Sequence, residues 1–149
     1  MGLDMFLEKR VYIGAKCSDK PVDVSINKGG NEIIVNPKKI KYVIEEAAYW
    51  RKANMIHKWF VDNVQDGEDD CRDYYVPIEI LKELLDRCKK VSENHNLAES
   101  LLPTQDGFFF GDTTYNESYF TCIEDTINQL SGVLEHATES DEFYYSSSW

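Results

Sequence analysis

No long apolar run, no paired-cysteine motif and no apolar leader is present in this chain, and each absence excludes a class of function. Its four cysteines, at 17, 71, 88 and 122, form no CxxC pair, and no histidine lies at metal-ligand spacing from them. Zinc and cluster chemistry are therefore not expected, and the thiols are expected to be reduced. The opening MGLDMFLEKR lacks an apolar h-region, and Phe6 stands where a myristoylation signal needs Ser or Thr. No stretch approaches the ~20 apolar residues of a membrane span. There is no GxxxxGK[ST] and no GxGxxG, so neither glycine-rich phosphate loop is available. Positive charge is also scarce: 16 Lys and Arg stand against 27 Asp and Glu, for a net charge of −11. Direct nucleic-acid binding is not expected of so acidic a chain.

What is present fits one soluble globule. At 149 residues, with 42% apolar and 29% charged side chains, the chain can bury one ordinary core over residues 1–149 without staples. Aromatics, at 13%, are on the rich side. The charge is uneven: residues 1–60 hold 11 basic and 7 acidic side chains, a balance of +4, whereas residues 61–149 hold 5 and 20, a balance of −15. Such asymmetry suits two surfaces with different partners, or one solubilising and one working face.

MFLEKRVYI (5–13) is rich in strand formers, and NEIIV (31–35) follows the turn-forming Lys28-Gly29-Gly30. Pro37 then opens a segment whose apolar residues suggest one long helix from about Lys38 to Val64, apolar on two sides and so buried by two neighbours. DYYV (73–76) reads as a short strand. Pro77 begins a helix with Leu81, Leu84, Leu85, Cys88 and Val91 on one stripe. GFFFG (107–111) is too short to be anything but a strand or an extended loop. Thr114 and Glu117 have capping-box spacing before a helix striped by Phe120, Ile123, Ile127, Leu130 and Leu134. The tail ESDEFYYSSSW reads as an extended arm. The expected fold is a single α+β domain: a small, mostly antiparallel sheet packed by about three main helices, with the 38–64 helix central.

The densest cluster of chemistry is YWRKANMIHKWF (49–60). On a helix, Trp50, Asn54 and His57 would share a stripe, with Arg51 and Lys58 on another. Trp50 could stack a ligand that Asn54 and His57 hydrogen-bond, while Arg51 grips phosphate with its planar fork and Lys52 and Lys58 add charge. Gln105, Phe108 and Phe109 of the glycine-bounded loop could complete the site. The alternative is architectural: Trp50 packs, His57 bonds a protein group and Arg51 pairs with a carboxylate. The acidic run DNVQDGEDDCRD (62–73) places Asp62, Asp66, Gly67, Asp70 and Asp73 at calcium-loop positions. Val64 and the terminal Asp73 break that pattern, so a solvated acidic loop is expected. A nucleophilic dyad of Cys71 or Cys88 with His57 is conceivable, though no spacing requires it.

MGLDMFLEKR, YWRKANMIHKWFV, DDCRDYYV, LLPTQDGFFFG and FYYSSSW together resemble, along most of the chain, a family of small bacteriophage and prophage proteins. The resemblance implies an accessory protein acting in the host bacterial cytoplasm, in a counter-defence role. The expected function is non-enzymatic sequestration of a small anionic, nucleotide-derived signalling ligand, with no cofactor and no bound metal. One alternative is an acidic inhibitor, or DNA mimic, that binds a host defence protein. Another is a hydrolase of the same signal. A homo-oligomer is compatible with each of these.

Overall fold

The computed structural model describes residues 2–14 and 23–149. In chain order these form strands β1 (Asp4–Tyr12), β2 (Ile26–Lys28), β3 (Asn31–Ile33) and β4 (Tyr42–Arg51), then helix α1 (Asn54–Val64), strand β5 (Tyr74–Val76), helices α2 (Ile78–Glu93), α3 (Ala98–Leu101) and α4 (Glu117–Glu135), and strand β6 (Asp141–Ser148). β4, β1, β6 and β5 make a four-stranded antiparallel sheet in that order, and β2 and β3 make a separate hairpin. The α+β class is as the sequence suggests. No helix among the described residues is long and apolar enough to cross a membrane.

The long helix expected over 38–64 does not form. Pro37–Lys39 is a single 3-10 turn, Tyr42–Arg51 is a strand, and only Asn54–Val64 is helical. The two-sided apolar pattern belongs to a period of two: Ala48 and Trp50 face the core while Tyr49 and Arg51 face out. Pairing with β1 decides it, with Met5 opposite Trp50 and Leu7 opposite Ala48, and overrides the helix-favouring Glu45-Glu46-Ala47-Ala48 run. Trp50 therefore shares no helical stripe with Asn54 and His57.

The tail is also not a free arm. β6 is an interior strand between β1 and β5, and Phe143, Tyr145 and Ser147 point into the core. Leu7 lies between Ala48 and Tyr145 across the sheet. α1 and α4 pack against the sheet and α2 packs on α4, so one face of the sheet borders the core. GFFFG is a turn rather than a strand, closed by the Phe110 N–H donating to Gly107 O at 3.1 Å. α4 is capped by Asn116, whose side chain accepts from the Tyr119 N–H, and not by Thr114. Its stripe packs on α2, where Leu81, Leu84, Cys88 and Val91 are buried as expected.

Candidate functional site

At the junction of β4 and α1 the chain turns through Lys52, which has φ +55°, a left-handed conformation that lysine rarely adopts. Its N–H donates to Leu3 O at 2.7 Å, which fixes the turn against the start of β1. Two glycines make room for it. A Cβ at Gly111, itself at φ +87°, would lie 3.2 Å from Lys52 Cβ, and one at Gly2 would lie 3.2 Å from Lys52 Cε and 3.4 Å from Arg51 Nη2. The second glycine of GFFFG is therefore required by the approach of Lys52.

Arg51 and Lys52 line a depression of about 210 Å³ with Asp112, Thr114, Asn116 and Ser118 at the start of α4. A second depression, about 330 Å³, adjoins it through Arg51, Ser118 and Cys122 and continues along Tyr49, Trp50 and Ala53. Together they form a groove with the 49–55 segment on one side and the first turns of α4 on the other. Arg51 is half neutralised by Asp4, whose Oδ1 lies 3.3 Å from Nη1. Among the described residues no carboxylate comes within ion-pair distance of Lys52. Asp112 is turned to its own loop: Oδ1 accepts from the Thr114 N–H, and Oδ2 accepts from the Thr114 hydroxyl and Asn116 Nδ2. Those bonds hold its carboxyl below the usual range. Burial pushes the Cys122 thiol up to about 11, so the sulfur facing the groove stays protonated at neutral pH.

The other expected site residues serve the interior. Trp50 is buried, and its Nε1–H donates to Thr126 Oγ1 at 3.0 Å. Asn54 is fully buried at the start of α1: Nδ2 donates to Phe110 O at 3.1 Å and Asp112 O at 2.9 Å, and Oδ1 accepts from the Gln105 N–H at 3.3 Å. It clamps the 105–112 loop to α1. His57 Nε2 lies 3.0 Å from Asp69 Oδ1 and Nδ1 lies 2.7 Å from the Tyr145 hydroxyl. A carboxylate only accepts, so Nε2 carries the proton and Tyr145 donates to Nδ1. Asp69 also accepts from Trp149 Nε1 and Gln105 Nε2. Burial pulls the His57 pKa below its ordinary value against the pull of Asp69, and burial pushes the Tyr145 phenol well up. Tyr145 stacks on Phe60 with ring centroids 4.0 Å apart.

The eight expected residues are thus not gathered around one cavity. Arg51 and the buried Trp50 border the groove. Lys58 opens onto a different hollow, of about 180 Å³, with Trp59 and Arg87, and is paired there with Asp62. Phe108 is 94% exposed and Phe109 gives its carbonyl to the Leu3 N–H. Both nitrogens of His57 are occupied, so neither Cys71 nor Cys88 forms a dyad with it. The acidic run is likewise dispersed: Asp62 lies inside α1, Glu68 and Asp70 pair with Arg72, and Asp73 pairs with Arg10. It is neither a calcium loop nor a ridge of unpaired carboxylates. Ser118 and Thr114 were not expected at a site, because only the close approach of α4 to the β4–α1 turn brings them there.

Comparison with protein-family models, with curated proteins and with solved structures finds no match for this chain.

Proposed function

We propose that this protein binds a small anionic ligand of nucleotide type in the groove between the β4–α1 turn and the start of α4, and holds it without reacting. The observation that carries this is Lys52: a cation with no carboxylate partner among the described residues, in a backbone conformation that costs about 1–2 kcal/mol, beside a second cation at the mouth of a hollow. Arg51 and Lys52 supply the charge, and the Ser118 hydroxyl supplies a donor. The partial positive charge at the start of the 19-residue α4 adds to them. Together with the resemblance to bacteriophage proteins, this supports sequestration of a nucleotide signal in the bacterial cytoplasm as the biological role. The protonated Cys122 thiol favours binding over hydrolysis.

Lys52→Gly tests the proposal. Glycine adopts the same φ freely, so the relief of strain is set against glycine's own entropic cost of about 0.5–1 kcal/mol, and stability should hold or rise slightly. A charge-assisted contact contributes ~1.5–3 kcal/mol, so calorimetric titration with inorganic phosphate, a mononucleotide and a cyclic dinucleotide should show affinity falling about tenfold or more. Wild-type protein that binds none of these probes, or a Lys52→Gly protein that binds them equally well, contradicts the proposal.

A further inference from the structure

β4 is an edge strand, and its exposed part carries a self-complementary pattern. In KKIKYVIEE (38–46) the lysines 38, 39 and 41 precede an apolar centre, Tyr42-Val43-Ile44, and Glu45 and Glu46 follow it. The centre is 45%, 43% and 55% exposed at its three residues, so side chains on both faces of the strand meet solvent. β1 alone pairs with β4 in the sheet. Exposed edges of this kind are usually blunted, and here one end is. The Gln129 side chain receives the Tyr49 N–H on Oε1 at 2.9 Å and returns Nε2–H to Tyr49 O at 3.0 Å, making the two bonds a further strand would make. Toward Glu46, Ile44 and Tyr42 no such plug is present among the described residues.

A cleft of about 520 Å³ lies against this open edge, lined by Lys9, Glu45, Glu46 and Ala47 and by Gly132 of α4 and His136 just after it. Gly132 sits in the interior of α4, where glycine costs about 1 kcal/mol relative to alanine, yet a Cβ there would meet nothing within 4 Å. No contact among the described residues requires it, and its lack of a side chain keeps the cleft open at that point.

We infer that β4 pairs with β4 of a second copy, antiparallel and about a two-fold axis, to join two four-stranded sheets into one. Only this orientation satisfies the charge pattern. With the axis at Tyr42, Lys39 of one copy falls opposite Glu45 of the other, and with the axis at Val43, Lys41 falls opposite Glu45. Parallel pairing in register would set lysine on lysine and glutamate on glutamate. The apolar centres meet at the axis, and Lys38 and Lys39 enter the cleft that Glu45 and Glu46 line. The Gln129 plug limits the pairing to the open end.

Sedimentation velocity over a concentration series reads this directly, with circular dichroism to confirm folding. The wild-type chain should show a monomer–dimer equilibrium. Gly132→Lys fills open space, so the fold should persist, while dimer affinity drops about tenfold or more because the bulk and charge occur twice across the axis. Lys39→Glu with Lys41→Glu, and separately Glu45→Lys with Glu46→Lys, should each be monomeric, and mixing the two should restore a heterodimer. A wild-type chain that stays monomeric throughout overturns the inference, as does a dimer indifferent to Gly132→Lys. A mixture of folded charge variants that fails to associate overturns it too; if a charge variant does not fold, the Gly132→Lys result decides alone.

Discussion

Replacing Asn54 with alanine should remove the clamp that holds the 105–112 loop to α1, and the structure sets the size of the effect. Three hydrogen bonds are lost together: to Phe110 O, to Asp112 O and from the Gln105 N–H. The bond to Phe110 O is buried, so stranding that acceptor costs about 1–3 kcal/mol. The Asp112 and Gln105 groups are only partly buried and regain water, so each loses about 0.5–1.5 kcal/mol. The sum, about 2–6 kcal/mol, is a large share of the ~5–15 kcal/mol by which domains are stable. Urea unfolding followed by tryptophan fluorescence and far-UV circular dichroism measures it. Asn54→Asp is the informative companion: it keeps the acceptor for the Gln105 N–H but turns a carboxylate oxygen toward two carbonyls, so it should destabilise at least as much as alanine. An unchanged midpoint in Asn54→Ala would show that the loop is not held by this residue and would refute the reasoning.

Three other outcomes are expected. His57 binds a proton less readily folded than unfolded, so its contribution to stability is complete above about pH 6.5 and is lost as pH falls from there toward the folded value. The slope is at most about 1.4 kcal/mol per pH unit, and it should disappear in His57→Gln when unfolding is measured across that window. Tyr145→Phe keeps the stacking on Phe60 but strands His57 Nδ1, and should lower stability by about 1–3 kcal/mol in the same urea assay. Among the described cysteines, Cys71 is exposed while Cys88 and Cys122 have thiols pushed up by burial, so a thiol reagent at neutral pH should label Cys71 quickly and the other two only on unfolding. Cys17, also expected to be reduced, lies outside the described residues.

The elements that sequence alone located are those with one unambiguous period. β1 alternates, and α2 and α4 each bury a single stripe. β4 was illegible because Glu45-Glu46-Ala47-Ala48 favours helix locally, and only pairing with β1 makes it a strand. The extended conformation of β6 was legible, but not its place inside the sheet, where Ser147 is buried opposite Met5. Reading β4 as helix misplaced the site. Asn54 and His57 could be recognised as polar residues needing partners, but the partners, Phe110 O, Asp112 O, Asp69 and Tyr145, come from distant segments whose approach has no local signal. Arg51 could be recognised as a candidate cation, whereas the prominence of Lys52 depends on a left-handed φ that is favoured by glycine and not signalled by lysine.

The claim that matters most is the anion groove at Arg51 and Lys52, and the most direct measurement is a phosphate and mononucleotide titration followed residue by residue in amide NMR spectra. Saturable shifts should concentrate at Lys52, Gly111, Thr114, Glu117 and Ser118, with little change around His57 and Asp69. Shifts that centre instead on Lys58 and Arg87, or spectra that do not move at all, would contradict it.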